Sequence, residues 1–305
     1  MHPWRIGVHD VAFGALPVVN LVLERLGFDE LVAGFLPESD PRCAVEPARV
    51  IGVLVRNLAI SRQPLYAISA WAQRYEPGLL GLKAGEAARL NDDRVGRGLD
   101  QLFAADRASL LTELSIRTIR RYSIDVGELH NDSTSITLNG AYRPGSGPPR
   151  AGVAPPVPER GFSKDHRGEL KQLVEILTVS ADGAVPIAHR LADGSVQDSS
   201  THIDTWDQLV AMVGGPGFTY VADCKLATRK NMDHIASRHG RFLTILPRTR
   251  REDAAGRAWI AAGDVAWEEI DRRPGKRKDD PPEIYWAAEA PGPSAEGYRI
   301  VWVRS

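Results

Sequence analysis

Cysteine is nearly absent: Cys43 and Cys224 are the only two in 305 residues and lie far apart. A disulfide framework and a Cys-x-x-Cys metal or redox site are both excluded. No apolar run approaches the ~20 residues needed to span a bilayer. The start, Met1-His2-Pro3-Trp4-Arg5, lacks the charged-then-apolar layout of a signal peptide. The setting these absences imply is cytoplasmic and reducing, with no membrane. Charge of neither sign dominates, with 38 Lys and Arg against 39 Asp and Glu and a net charge of −1. Attraction of the whole chain to nucleic acid is therefore excluded, and any such binding must come from a local patch. Gly-x-Ser-x-Gly and the Gly-Lys-Ser/Thr phosphate loop are missing too. What is present is an ordinary globular composition, 43% hydrophobic and 25% charged, at a length that suits about two domains.

To about residue 128 the apolar residues recur at spacings of three and four, the period of helices packed on a core. Leu16, Val19, Leu23 and Leu26 form one stripe, opened by Pro17 and closed by Gly27. Ile51, Leu54, Val55 and Leu58 form another, with Pro47 where a first helical turn accepts it. Asp92-Asp93 looks like a carboxylate pair, but after Asn91 and before Val95, Leu99 and Leu102 it reads as a helix N-terminus.

Near residue 129 the period changes to that of strands. Leu129 to Leu138 reads as the first, and Gln172 to Ser180 and Ala184 to Leu191 as a hairpin around Ala181-Asp182-Gly183. Between them runs a Pro- and Gly-rich loop from Pro144 to Glu159. Thr201 to Val213 reads as a helix, and Phe218 to Ala222 as a central strand covered on both faces. A helix over Ala227 to His239 and a strand over Arg241 to Leu246 follow, then short strands at Trp259, Trp267, Ile284 to Trp286 and Arg299 to Val303. Three strands followed by alternating helices and strands give an α/β fold, a ribonuclease H-like mixed sheet with flanking helices. The expected division is a helical domain over 1–128, a core over 129–253 and a β-rich insertion over 254–305.

Asp132 on the first strand and Asp223 at the end of the central strand meet if those strands are neighbours, because reactive groups gather at strand ends in open α/β sheets. Two close carboxylates repel, and a hard divalent cation such as Mg2+ relieves that repulsion. Paired ions about 4 Å apart serve in-line displacement at phosphorus. A strand-edge aspartate at 132 and a helix cap at 223 are the structural alternatives. A third feature is charge: Lys225, Arg229, Lys230, Arg238, Arg241, Arg248, Arg250 and Arg251 are interrupted by Asp233 alone. Such a cluster holds a phosphate backbone by counterion release, unless it is simply a solvated helix face. His130 and His166 are candidates for supporting roles, whereas His234 and His239 are spaced wrongly for one helical turn and read as surface residues.

Three stretches, His130-Asn131-Asp132-Ser133-Thr134-Ser135, Gly161-Phe162-Ser163-Lys164-Asp165-His166-Arg167 and Val221-Ala222-Asp223-Cys224-Lys225, resemble successive blocks of DDE transposases from bacterial insertion sequences. Gly14 to Val19 and Leu90 to Arg94 are similar to the helical domain that precedes the core in one group of them. The resemblance implies an Asp-Asp-Glu triad using Mg2+ or Mn2+, with Asp132 and Asp223 as the two aspartates and metal ligands. It implies double-stranded DNA, both element ends and target, as partner, homo-oligomers on DNA and a nucleoid-associated location. With the charge reading, it gives Lys164, His166, Arg167, Lys225, Arg229, Lys230, Arg248 and Arg250 as DNA-binding residues. Asp198 matches a further family position. Two departures stand out: Gly168-Glu169-Leu170 replaces the family's Pro-Asp-Leu, and no Tyr-x-x-Arg-x-x-x-Glu helix appears before Ser305. The expectation is thus a C-terminally truncated transposase, catalytically impaired as it stands. The alternatives are a truncated DNA-binding repressor, or a nuclease whose site is completed by Glu169 or Asp198.

Overall fold

A computed structural model describes residues 12–37, 43–142, 149, 154–163, 166–263, 265–275, 277 and 280–305. Six helices come first: α1 (Leu16–Leu26), α2 (Phe28–Phe35), α3 (Pro47–Ile60), α4 (Ile68–Ala72), α5 (Asp92–Ala104) and α6 (Arg107–Tyr122). Their ends follow local chemistry. Gly27 adopts φ 59°, a left-handed conformation that costs glycine nothing, and stops α1. Asn91 caps α5 by accepting the Arg94 N–H at 2.9 Å, so the Asp92-Asp93 doublet is the first turn of a helix, as its neighbours predict. Leu16, Leu23, Ile51, Leu54, Ile68, Trp71 and Val95 are buried in a shared core, each contributing roughly 1.5–3 kcal/mol by leaving water. Leu58, expected in the α3 stripe, is instead 61% exposed. A buried Arg56 ties three helices together, donating to Asn20 Oδ1 at 2.8 Å and to Asp29 Oδ2 at 3.0 Å.

The second unit comprises β1 (Glu128–Leu138), β2 (Lys171–Ser180), β3 (Pro186–Ala192), α7 (His202–Val213), β4 (Thr219–Ala222), α8 (Arg229–Ala236) and β5 (Arg241–Thr244). The strand order is β3-β2-β1-β4-β5. The first three strands are antiparallel, while β4 and β5 run parallel to β1, as helical crossovers through α7 and α8 require. This is the ribonuclease H-like sheet with a helical N-terminal part that the element order predicts. One face is sealed: Leu129, Tyr220 and Ala222 pack with Trp206, Leu209, Phe218, Leu226 and Ile235.

The other face differs from expectation. Its β4 residue Val221 lines an open cavity, and on the same side Leu243 and Ile245 are 61% and 67% exposed. The apolar run 218–222 is thus covered by helices on one side only. The chain then forms α9 (Arg251–Ala262) and a second sheet, β6 (Glu268–Arg273), β7 (Glu283–Glu289) and β8 (Val301–Arg304), antiparallel in the order β6-β7-β8. Trp259, read as a strand residue, lies within α9. The alanines at 254, 255, 258, 261 and 262 outweigh the strand preference of one aromatic. α9 therefore crosses the 253/254 boundary expected between core and insertion. It is clasped to the chain ahead of β8 by Arg250, which pairs with Glu252 at 3.0 Å and with Glu296.

Candidate functional site

Register brings the two aspartates together. The parallel ladder runs Glu128↔Thr219, Leu129↔Tyr220, His130↔Val221 and Asn131↔Ala222, and the next residue on each strand is Asp132 and Asp223. Adjacent strands lie about 4.8 Å apart. Side chains alternate, so the burial of Leu129 and Asn131 turns His130 and Asp132 to the opposite face. Asp132 and Asp223 are both exposed and both line one cavity of about 1350 Å3. Its walls include Leu177 and Val179 of β2, Val221, Leu243, Ile245, Arg248, Asp253 and Arg257 of α9, and residues 298–303.

Local bonds fix each carboxylate. Asn131, just ahead of Asp132, is buried and donates through Nδ2 to Thr178 Oγ1 at 2.9 Å and to the Leu177 carbonyl at 3.2 Å. Asp132 Oδ1 accepts the Ser133 N–H at 2.8 Å. Asp223 Oδ1 accepts the Lys225 N–H at 2.9 Å, and Thr244 Oγ1 donates to the Asp223 carbonyl from the neighbouring strand at 2.6 Å. The cap of α8 is Thr228, which accepts from Asn231 N at 3.2 Å. Asp223 is therefore no helix cap, and its Oδ2 has no partner among the described residues.

Two exposed carboxylates on adjacent strands fit a hard cation that keeps much of its water, since Mg2+ is commonly held by one or two carboxylates plus substrate phosphates. Among the described residues no third His, Cys, Asp or Glu joins them in a metal-binding group. Glu169 pairs with Arg167, whose guanidinium holds its carboxyl below the usual range. Asp198 opens a single helical turn over Asp198–Ser200, and neither completes the pair.

The basic residues divide. Lys225, Lys230 and Arg248 are exposed and make no ion pair among the described residues, and Arg248 lines the cavity. Arg229 is paired with Asp233 at 3.4 Å. Arg250 is engaged by Glu252 and Glu296 and its side chain is 17% exposed, a structural rather than a free cation. His130 Nε2 meets Glu128 Oε1 at 2.7 Å. His166 and Arg167 are exposed, His166 with φ 58°. Lys164 lies outside the described residues. His234, read as a surface residue, has its side chain only 15% exposed and bonds Asp207 at 2.8 Å. Among the described residues no helix is long and apolar enough to cross a membrane.

One group escaped the sequence reading. His202 is buried, its Nδ1 is 3.1 Å from Tyr220 Oη, and its Nε2 has no hydrogen-bond partner among the described residues. Burial pushes its pKa down, opposed by the negative charges of Asp223 and Asp198. Burial also pushes the Tyr220 hydroxyl well above its ordinary value. The pair lies in the sealed core beneath the strand that ends next to Asp223. The sequence offered no signal for it, because the burial depends on β4 and α7 meeting across the fold.

A family model described as a domain of unknown function, DUF4277, matches residues 9–116. Among solved structures, the chain is similar to the Mos1 transposase paired-end complex with left transposon end at 12% identity, over 73% of this chain and 67% of that one, with a TM-score of 0.26. It is similar to the piggyBac transposase synaptic complex with hairpin DNA at 10% identity, over 93% of this chain and 60% of that one, with a TM-score of 0.44. A third is the Mos1 mariner paired end complex with Mn, at 11% identity, over 81% and 80%, with a TM-score of 0.25. The search of curated proteins found no match.

Proposed function

We propose that the chain is the helical domain and ribonuclease H-like core of a DDE-type transposase, acting in DNA cleavage and strand transfer. One observation carries the reading: Asp132 and Asp223 continue the ladder of two adjacent parallel strands and share the mouth of one cavity. On this reading the two carboxylates hold Mg2+ or Mn2+. When bound, the ion would activate the attacking oxygen and neutralise charge at the phosphate. The chain's own part is to position. Asn131 and the Thr244 hydroxyl lock the two strands behind the carboxylates, and Lys225 and Arg248 offer point charges to a DNA backbone beside them.

On this reading Asp132 and Asp223 supply two of the three carboxylates, and no third joins them among the described residues. Element-end recognition, bacterial insertion-sequence membership and oligomerisation on DNA belong to the same proposal. The test uses supercoiled plasmid and the 305-residue chain with Mg2+ or Mn2+. The expected result is DNA binding that weakens in Lys225→Glu and Arg248→Glu, with any metal-dependent nicking lost in Asp132→Ala. Absence of DNA binding would overturn the DNA reading. Metal-dependent nicking that survives Asp132→Ala would overturn the role given to that carboxylate.

A further inference from the structure

Four arginines line the cavity that Asp132 and Asp223 share, and their partners set them apart. Arg248 is exposed, Arg250 is clasped by Glu252 and Glu296, and Arg299 is held by Glu289 with both side chains more than half exposed. Arg257 is tied differently. Its Nε donates to Asp253 Oδ2 at 2.8 Å and its Nη2 to Asp253 Oδ1 at 3.3 Å, a two-point contact along one edge of the guanidinium. Asp253 is buried, while the Arg257 side chain is 57% exposed. Gly256, on the same face of α9, lies against the Trp302 ring of β8. A fixed carboxylate thus holds a cation whose other edge is open.

An ion pair four residues apart on a helix is commonly a solvated contact of little consequence. Asp93 and Arg97 of α5 are such a pair, with side chains 64% and 71% exposed. Asp253 departs from it, because a carboxylate is buried at a cost unless it is paired, and the pairing consumes only two of the five N–H donors of a guanidinium. Nη1 has no hydrogen-bond partner among the described residues. The free edge, Nη1 with Nη2, suits the two oxygens of a phosphate. The cavity of about 1350 Å3 is about 14 Å across if taken as a sphere, and a DNA strand carries a phosphate every ~3.4 Å of helix axis. A strand with one phosphate at Asp132 and Asp223 therefore brings its flanking phosphates within reach of another wall.

We infer that Arg257, oriented by Asp253, grips a phosphate flanking the one held at Asp132 and Asp223, an inference that rests on the DNA reading above. Asp253 is then a positioning residue that acts through Arg257 and does not touch DNA. Its effect runs against simple electrostatics: removing a carboxylate beside a polyanion strengthens long-range attraction, yet here it would loosen the fork that makes the contact.

The test is fluorescence anisotropy of a labelled duplex over a range of KCl. It uses the full chain, Arg257→Gln, Arg257→Lys, Asp253→Asn, and Arg97→Gln as the control at the solvated pair. Arg257→Gln is expected to weaken binding about tenfold, the size of one charge-assisted hydrogen bond, and to reduce the steepness of log affinity against log salt by about 1. Asp253→Asn should weaken binding despite its added positive charge. Arg257→Lys should keep the salt dependence but lose affinity severalfold, because an ammonium cannot face Asp253 and a phosphate as a planar fork does. Arg97→Gln should have no effect. Urea midpoints equal to wild type confirm folding, and if Asp253→Asn fails to fold, Arg257→Lys decides. No loss in Arg257→Gln, full affinity in Arg257→Lys, tighter binding in folded Asp253→Asn, or an equal loss in Arg97→Gln would overturn the inference. If Lys225→Glu weakens binding while Arg257→Gln does not, the grip falls alone. If the unaltered chain binds no duplex, the DNA reading falls with it.

Discussion

Three helical glycines offer one chemical change in three environments. Gly96 in α5 has nothing within 4 Å of an added Cβ. Gly98, two residues on and so on the opposite side of the helix, would place its Cβ 2.9 Å from Val50 Cγ1. Gly256 in α9 would place it 2.0, 2.4 and 2.7 Å from three atoms of the Trp302 ring on β8. Alanine in a helix interior gains roughly 0.5–1 kcal/mol over glycine, and overpacking costs typically 1–3 kcal/mol. Gly96→Ala is therefore expected to stabilise by roughly 0.5–1 kcal/mol. Gly98→Ala presses on a stiff β-branched side chain that is 1% exposed, and is expected to fall between neutral and about 2 kcal/mol destabilising. Gly256→Ala demands that the Trp302 indole move, for an expected net loss of about 2 kcal/mol. Urea unfolding followed by far-UV circular dichroism and tryptophan fluorescence reads all three. The loss at Gly256 bears on the site, because Asp253, Arg257 and Trp302 wall the cavity. If Gly256→Ala stabilised as much as Gly96→Ala, the docking of α9 on β8, and with it that wall, would be wrong.

The Arg250 clasp gives an acid signature. Its hydrogen bond draws the Glu252 carboxyl down to about 2 from an ordinary 4.5, and lowers Glu296 as well. A depressed carboxyl stabilises fully above its unfolded pKa, so this contribution should be lost as pH falls from about 4.5 toward 2. In acid unfolding, Glu252→Gln should flatten the curve in that window, and an unchanged curve would contradict the clasp. Asn131→Ala leaves the buried Thr178 hydroxyl and the Leu177 carbonyl without this donor, and is expected to cost about 1–3 kcal/mol by urea denaturation. A loss under 0.5 kcal/mol, the size of an ordinary surface change, would mean that the bond does not brace the strand at Asp132.

Much of this was legible because it is local. Asn91, Pro47 and Gly27 mark helix ends by chemistry that acts within a turn, and the order of strands and helices fixed which strands could be parallel. The adjacency of Asp132 and Asp223 was legible because each sits at a strand whose period is visible. The misses are all matters of what lies across the fold. Trp259 looked like a strand residue until its alanine neighbours were counted. The run 218–222 is apolar on both faces, yet only contacts from α7 and α8 reveal that one face is covered and the other opens on the cavity. Leu58 follows the helix period but faces water at the end of its stripe. Arg250 belonged to a basic cluster in sequence, and only the return of the chain to Glu296 shows that it is engaged. His202 and Gln172 owe their burial to segments distant in the chain, so no spacing rule could select them.

The central claim is that Asp132 and Asp223 form one cation site, and Mn2+ binding followed by electron paramagnetic resonance tests it most directly. Asp132→Asn, Asp223→Asn and the double variant complete a cycle with the unaltered chain, and Asn preserves the acceptor that Lys225 N–H uses at Asp223. The expected result is bound Mn2+ in the unaltered chain and loss in either single variant, with no further loss in the double. Mn2+ binding that survives both substitutions, or additive losses from two independent sites, would contradict the account.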